Sequence, residues 1–307
     1  MKIKKLKKWL LLPLTAVLAV SLVLAGCTPE PETITQTQTE TKTNTQTQTE
    51  TQTQTQTETL TPTTSTSNLS GTVQEGGSTS VEPLARMWAG AFEILNPDTV
   101  ILIQGGGSSA GVRGVAEGIF DIGAASREVK SSELEDWPDL ITYHIAIDGV
   151  AIVVHPSNDT VDDLTLEEVM TIFANGSDDT WTVISRDEGS GTRECFENAV
   201  MGGEEISANC EFYNSNGAVK QKVASTENAI GYISLGFVDE SVKALSLDGV
   251  EATEDNVLNE SYPIWRYLNF VTNGEPTGLA AAFIDWCLSE DAQAIAENEG
   301  FTSILKK

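Results

Sequence analysis

Histidine is almost missing from this chain. There are two in 307 residues, His144 and His155, alongside four cysteines. Neither histidine stands at a metal-ligand spacing, so no metal and no cofactor is expected. Basic residues are scarce too, 18 Lys and Arg against 45 Asp and Glu. That balance excludes nucleic acid as a partner, because binding a phosphate backbone draws on clustered cations. Long apolar runs are also lacking. The one clear case, Trp9 to Leu24, follows five lysines in the first eight residues. A charged start followed by an apolar stretch reads as a secretory signal and is set apart from the fold.

The run ends in Leu24-Ala25-Gly26-Cys27, which resembles the lipobox of prokaryotic lipoproteins. The resemblance implies a signal peptide over residues 1–26, cleavage before Cys27 and lipid on its sulfur. An uncleaved apolar anchor is the alternative. Either way the remainder is expected outside the cytoplasm, anchored to the cell membrane. Without the five signal lysines, 13 of the 18 cations remain against 45 acids, which suits a soluble surface protein. Residues 27–68 alternate Thr with Gln or Glu and hold almost nothing apolar. Such a stretch cannot offset its ordering entropy, so a disordered stalk is expected, with Thr-rich strand pairing as the alternative.

From Leu69 onward, strand-like and helical patterns alternate, as in an α/β fold with largely parallel sheets. Strands are expected at 99–104, 120–124, 145–155 and 181–185, and helices from Pro83, before Glu117, after Thr165 and over 278–298. Thr165 and Glu168 have capping-box spacing. Cys195 and Cys210 flank a short loop, a placement open to a disulfide in an oxidising compartment. Cys287 lies in a helical pattern and reads as a core thiol.

One device occurs three times. Turns rich in Gly, Ser and Thr lead from a strand to a helix at 76–83 (GGSTSVEP), 105–112 (GGGSSAGV) and 188–195 (EGSGTREC). Each offers free backbone N–H groups at the positive end of a helix dipole, with hydroxyls beside them. Helix caps commonly use these same residues. Three such turns with Arg186 point instead to an anion wrapped by helix N-termini, hydroxyls and one guanidinium.

The segments GSTSVEPLARMW (77–88), IQGGGSSAGV (103–112), FDIGAASRE (120–128), SRDEGSGTRECF (185–196), NAIGYISLG (228–236) and YPIWRYLNFVT (262–272) resemble the PstS-type phosphate-binding proteins of phosphate ABC importers. The resemblance runs from about Leu69 to Leu305. It implies a two-lobe periplasmic-binding-protein fold with an interlobe ligand cleft. Lobe 1 would take 69–149 and 265–307, and lobe 2 would take 150–264. It implies inorganic phosphate held by Thr79, Ser80, Ser108, Ser109, Ser126, Arg186, Ser190, Gly191 and Thr192, with Glu188 as the acid that orients Arg186. Many members carry aspartate where this chain has Ser126, and a serine discriminates less between protonated and bare oxyanions. Arg127 either adds charge to the site or pairs with Glu128. The loop between Phe173 and Trp181 is shorter than in many members. Trp265 and Tyr267 are expected to serve core and hinge packing.

The partners implied are phosphate, an ABC permease and the membrane through the lipid anchor, with the protein itself a monomer. Other readings are a binder of sulfate, molybdate or tungstate, and a phosphate-sensing surface protein. An enzyme is not expected: residues 188–192 read EGSGT, which lacks the Gly-x-Ser-x-Gly spacing of a hydrolase nucleophile.

Overall fold

Alternating strand and helix patterns become a curled sheet flanked by helices in the computed structural model, which describes residues 69–307 and two short strands before them. Those two, β1 (Thr37–Thr39) and β2 (Thr53–Thr55), pair antiparallel in the register Thr37↔Thr55, Gln38↔Gln54 and Thr39↔Thr53. This is the Thr-rich strand pairing weighed as the alternative for the stalk, at these six residues. The signal peptide, Cys27 and the rest of the stalk lie outside the described residues.

The first half of the main unit holds β3 (Gly71–Gly77), α1 (Glu82–Leu95), β4 (Thr99–Gly105), α2 (Ser108–Ala116), β5 (Ile122–Ala125) and α3 (Ser131–Asp136). A long strand, β6 (Leu140–Val154), follows. Beyond it come β7 (Asp163–Leu164), α4 (Leu166–Asn175), β8 (Thr182–Arg186), α5 (Gly191–Phe196), β9 (Glu211–Tyr213), α6 (Asn216–Ala224) and β10 (Ala229–Ser234). The chain then forms β11 (Lys243–Ala244), β12 (Ser246–Leu247) and α7 (Glu254–Leu258) before returning along β13 (Trp265–Asn273). It closes with α8 (Gly278–Cys287), α9 (Glu290–Asn298) and β14 (Thr302–Ser303).

The main sheet runs β4-β3-β5-β13-β6-β10-β8-β9. Pairing is parallel on both flanks, in β4-β3-β5 and in β10-β8-β9. The two strands that join the flanks, β6 and β13, are antiparallel. Their register slips between Leu268 and Asn269, opposite Ala146 and His144, so Ile145 has no opposite number. Ile145 and Ala146, adjacent in sequence, consequently both enter the same apolar core, as a β-bulge permits.

Two apolar cores flank this crossing. One packs α1, α8 and α9 on the first flank around Trp88, Phe92, Phe270 and Phe283. The other packs α4 and α5 on the second flank around Phe173, Phe196, Tyr232 and Tyr262. The Thr165–Glu168 capping box is present at α4. The helix expected over 278–298 is two helices. Ser289 accepts from Ala292 N and starts α9, with Glu290 and Asp291 in its first turn, so a second N-cap outcompetes continuation.

A carboxyl lies inside the first core. Glu75 is 1% exposed and its Oε2 has no hydrogen-bond partner among the described residues. Burial raises its pKa well above the usual value; Glu82 adds to the rise and Arg86 opposes it. A carboxyl with a raised folded-state pKa loses stability as pH climbs from its unfolded toward its folded value. Glu75→Gln should therefore melt higher than the parent near about pH 8 and converge with it near about pH 4. Calorimetric melts across that range check this. The expected gain is about 2–4 °C per kcal/mol of desolvation relieved, itself roughly 1–3 kcal/mol.

Candidate functional site

The three Gly/Ser/Thr turns end up together, because β3, β4 and β8 all deliver their C-terminal ends to one cleft between the flanks. Ser80, before α1, lies 3.0 Å from Thr192 Oγ1 in the first turn of α5. Ser109 at the start of α2 donates its N–H to Gly189 O at 3.0 Å. Ser108 accepts from Ser126 N at 3.0 Å and meets Ser126 Oγ at 3.2 Å. Ser190 caps α5 by accepting from Arg193 N. Gly191 packs so closely that an added Cβ would collide with Ser108 Oγ and lie 2.7 Å from Ser126 Oγ. Ser80, Ser108, Ser126, Arg186, Ser190 and Thr192 are all buried.

Arg186 is the centre of the cluster. It leaves the end of β8 with 1% exposure. Nε donates to Tyr213 O at 3.1 Å, and Nη2 donates to Asn214 O and Thr79 Oγ1, both at 3.2 Å. Nη1 has no acceptor among the described residues. Burial pushes this guanidinium down to about 10, against partial support from Tyr232, so it stays charged at neutral pH. No carboxylate pairs with it among the described ion pairs. A buried cation without a counter-charge is costly, and an anion placed against it removes that cost.

Three expectations need correction. Glu188 is exposed and makes no bond to Arg186; the carbonyls of Tyr213 and Asn214 orient the guanidinium instead. Cys195 and Cys210 are free thiols. Their sulfurs face different carbonyls, Trp265 O at 3.6 Å and Phe173 O at 3.8 Å, so the disulfide that the loop spacing left open is not formed. Arg127 does not pair with the Glu128 carboxylate. It grips Glu133 through both Nη atoms at 2.7 and 2.8 Å, sits 3.2 Å from Glu194, and donates to Ser109 Oγ at 3.0 Å.

Other residues of the cluster escaped sequence reasoning. Arg266 on β13 donates from Nη2 to Ser80 Oγ at 3.0 Å and to Asp148 Oδ2 at 2.8 Å. Asp148 also accepts from Ser234 Oγ and Leu235 N. Asn216, at the start of α6, donates from Nδ2 to Ser80 Oγ at 2.8 Å. The available signal was a lone charge in each of two apolar strands, Asp148 in IAIDGVAIVV and Arg266 in YPIWRYLNFV; buried charges of this kind tend to be paired.

The site is thus rich in donors, with one guanidinium in no ion pair and, among the described residues, no carboxylate free to face a ligand. A surface cavity of about 870 Å³ opens nearby between Glu188, Arg193, Glu197, Glu204 and Phe212. Its carboxylates would repel an anion, so it is not the same site.

The arrangement matches known proteins. A family model described as a PBP superfamily domain matches residues 46–291. The phosphate-binding protein PstS of Bacillus subtilis is 35% identical over 246 residues, covering 76% of this chain and 81% of that protein. The chain belongs to the PstS-type family of phosphate-binding proteins. Among solved structures, a Clostridium perfringens substrate-binding protein with bound phosphate is 40% identical with a TM-score of 0.72, covering 76% of this chain and all of that one. An ABC-type phosphate transport receptor from Vibrio cholerae is 30% identical with a TM-score of 0.62, covering 75% and 99%. The PstS-type fold is thus the fold of this chain, an α/β periplasmic-binding-protein architecture of two lobes, and PstS-type proteins are binders rather than enzymes.

Proposed function

We propose that this chain is an extracytoplasmic solute-binding lipoprotein that captures inorganic phosphate between its lobes and delivers it to an ABC permease. The observation that carries the reading is Arg186, buried, charged and in no ion pair among the described residues, bonded to the Thr79 hydroxyl where the three strand-to-helix turns meet through Ser80–Thr192 and Ser109–Gly189. The PstS-type relatives name phosphate as the anion. Thr79, Ser80, Ser108, Ser126, Ser190, Gly191 and Thr192 would supply donors, with Arg186 the charge.

Lobe 1 would take 69–149 and 265–307 and lobe 2 would take 150–264, joined through β6 and β13. Contacts such as Ser109 N to Gly189 O and Ser80 to Thr192 would then cross the cleft in its closed form. Closure excludes water and strengthens each donor. Lipid on Cys27 and the Thr-rich stalk would hold a monomer near its permease. Among the described residues no helix is long and apolar enough to cross a membrane.

A second reading keeps the site and changes the anion. Asp148, the carboxylate bonded into the cluster, is paired with Arg266, so sulfate or molybdate would meet no free repelling acceptor among the described residues. Calorimetric titration of the full chain, stripped of anion, decides between them. One phosphate per chain with sulfate and molybdate far weaker is the expected result. Equal or tighter binding of another oxyanion would reassign the transported solute, and no binding of any would sink the proposal.

A further inference from the structure

The hydroxyl of Ser80 has three polar neighbours, and two of them can only donate. Asn216 Nδ2 lies 2.8 Å away and Arg266 Nη2 lies 3.0 Å away. The orientation of the Asn216 amide is fixed from behind, since its Oδ1 accepts Ser234 N at 3.1 Å and a backbone N–H cannot accept. A hydroxyl has two acceptor lone pairs and one proton. Both lone pairs of Ser80 are therefore taken, and its proton must point at the third neighbour, Thr192 Oγ1 at 3.0 Å. Thr192 then accepts from Ser80 and has its own proton free. Thr192 and Asn216 are 1% and 0% exposed, so water does not scramble the order.

The same wiring is repeated around the cluster. Thr79 accepts from Arg186, Ser108 from Ser126 N, and Ser190 from Arg193 N. Each hydroxyl is loaded by a protein N–H and keeps its own proton for another acceptor.

We propose that Asn216 and Arg266 are positioning residues that force Ser80 to donate to Thr192, which leaves the Thr192 proton to point into the anion site, so that the site favours the more deprotonated form of phosphate. This rests on the reading of the cluster as a phosphate site. Arg266 is anchored for the task by Asp148, and neither Asn216 nor Arg266 needs to touch the anion. The polarity of the chain follows from which atoms can donate, and reversing one link should reverse the preference.

Asn216→Asp makes that reversal with the same shape. An ionised carboxylate would accept the Ser80 proton, Thr192 would lose its donor, and a negative charge would sit one residue from the anion. The measurement is phosphate affinity of the full chain by calorimetry, in parent and variant, near about pH 5 and about pH 8, the range over which phosphate and a buried carboxyl both titrate. The parent should bind more tightly at the higher pH, where phosphate carries fewer protons. The variant should lose at least about tenfold there and recover toward the parent at the lower pH, inverting the order. A loss of equal size at both pH values would indicate only a packing defect and would overturn the proposal, as would parental behaviour.

If Asn216→Asp fails to fold, Asn216→Ala in parent and Ser80→Ala backgrounds tests the same chain. Its penalty should fall below about twofold once Ser80 is gone, and an undiminished penalty would overturn the proposal. A parent that binds no phosphate at either pH would sink the phosphate reading itself. A parent that binds it, beside a variant with unchanged pH order, would sink the positioning role alone.

Discussion

Arg186→Met should abolish tight phosphate binding and, in the absence of anion, raise the melting temperature. Both effects have one cause. Arg186 is buried with its charge intact, and among the described residues no carboxylate forms an ion pair with it, Asp187 acting only from a distance. Truncating one partner of a buried, hydrogen-bonded charge pair costs roughly 2–5 kcal/mol or more, which is about thirty- to several-thousandfold in affinity. Without ligand the same guanidinium is a liability. Replacing buried charge by an apolar side chain of similar volume is often neutral or stabilising by about 1–4 kcal/mol. Methionine also follows the arginine stem in length and flexibility. Melts of both proteins with and without saturating phosphate check the pair of effects. The parent should gain stability from phosphate, while the variant should start higher and gain nothing. A variant that melts lower without anion would mean that the bonds to Tyr213 O and Asn214 O outweigh the desolvation of the charge.

Gly191→Ala should weaken phosphate by roughly five- to 150-fold, the consequence of about 1–3 kcal/mol of overpacking. The reason is space, not backbone conformation, since the first residue of α5 is in ordinary helical geometry. An added Cβ would overlap Ser108 Oγ and stand 2.7 Å from Ser126 Oγ and 2.9 Å from the Ser126 carbonyl carbon. A hydroxyl can rotate away, but a backbone carbon on β5's exit cannot. If 191 and 126 belong to opposite lobes, the methyl is a wedge in the closing face. Dissociation should then accelerate more than association slows, which stopped-flow measurement with phosphate can resolve. Equal slowing of both rates, or none, would mean that the two segments do not part when the ligand leaves.

Much of this was legible in the chain. The three turns could be read because Gly, Ser and Thr before an apolar helical pattern have few alternative uses when they recur. Arg186 was conspicuous as one of few cations. Asn216 was illegible, because an Asn after Ser215 reads as an ordinary helix start, and only tertiary packing carries α6 to Ser80. Arg266 and Asp148 are far apart in sequence and pair only because β13 lies against β6 in the register Arg266↔Asp148. Glu188 failed for a local reason: it follows the last strand residue by two positions and is exposed, while the carbonyls of Tyr213, at the end of β9, and of Asn214 beyond it do its expected work. The cysteines failed because loop length says nothing about where the two sulfurs point.

The unmatched Ile145 has a consequence for how such a chain tolerates change. A strand assigns faces by odd and even count, and one supernumerary residue resets that parity halfway along. On the N-terminal side, His144 lies on the outside, stacked on Tyr267 at 3.9 Å, while on the C-terminal side the count supplies a different core. Deleting Ile145 would remove more than a methylene-rich side chain. It would restore an unbroken count and turn every residue from Leu140 to His144 over, sending an imidazole inward and Tyr143 to the opposite face. Substitution of Ile145 by another aliphatic is a matter of volume; its deletion is an error of arithmetic that no neighbouring side chain can repack.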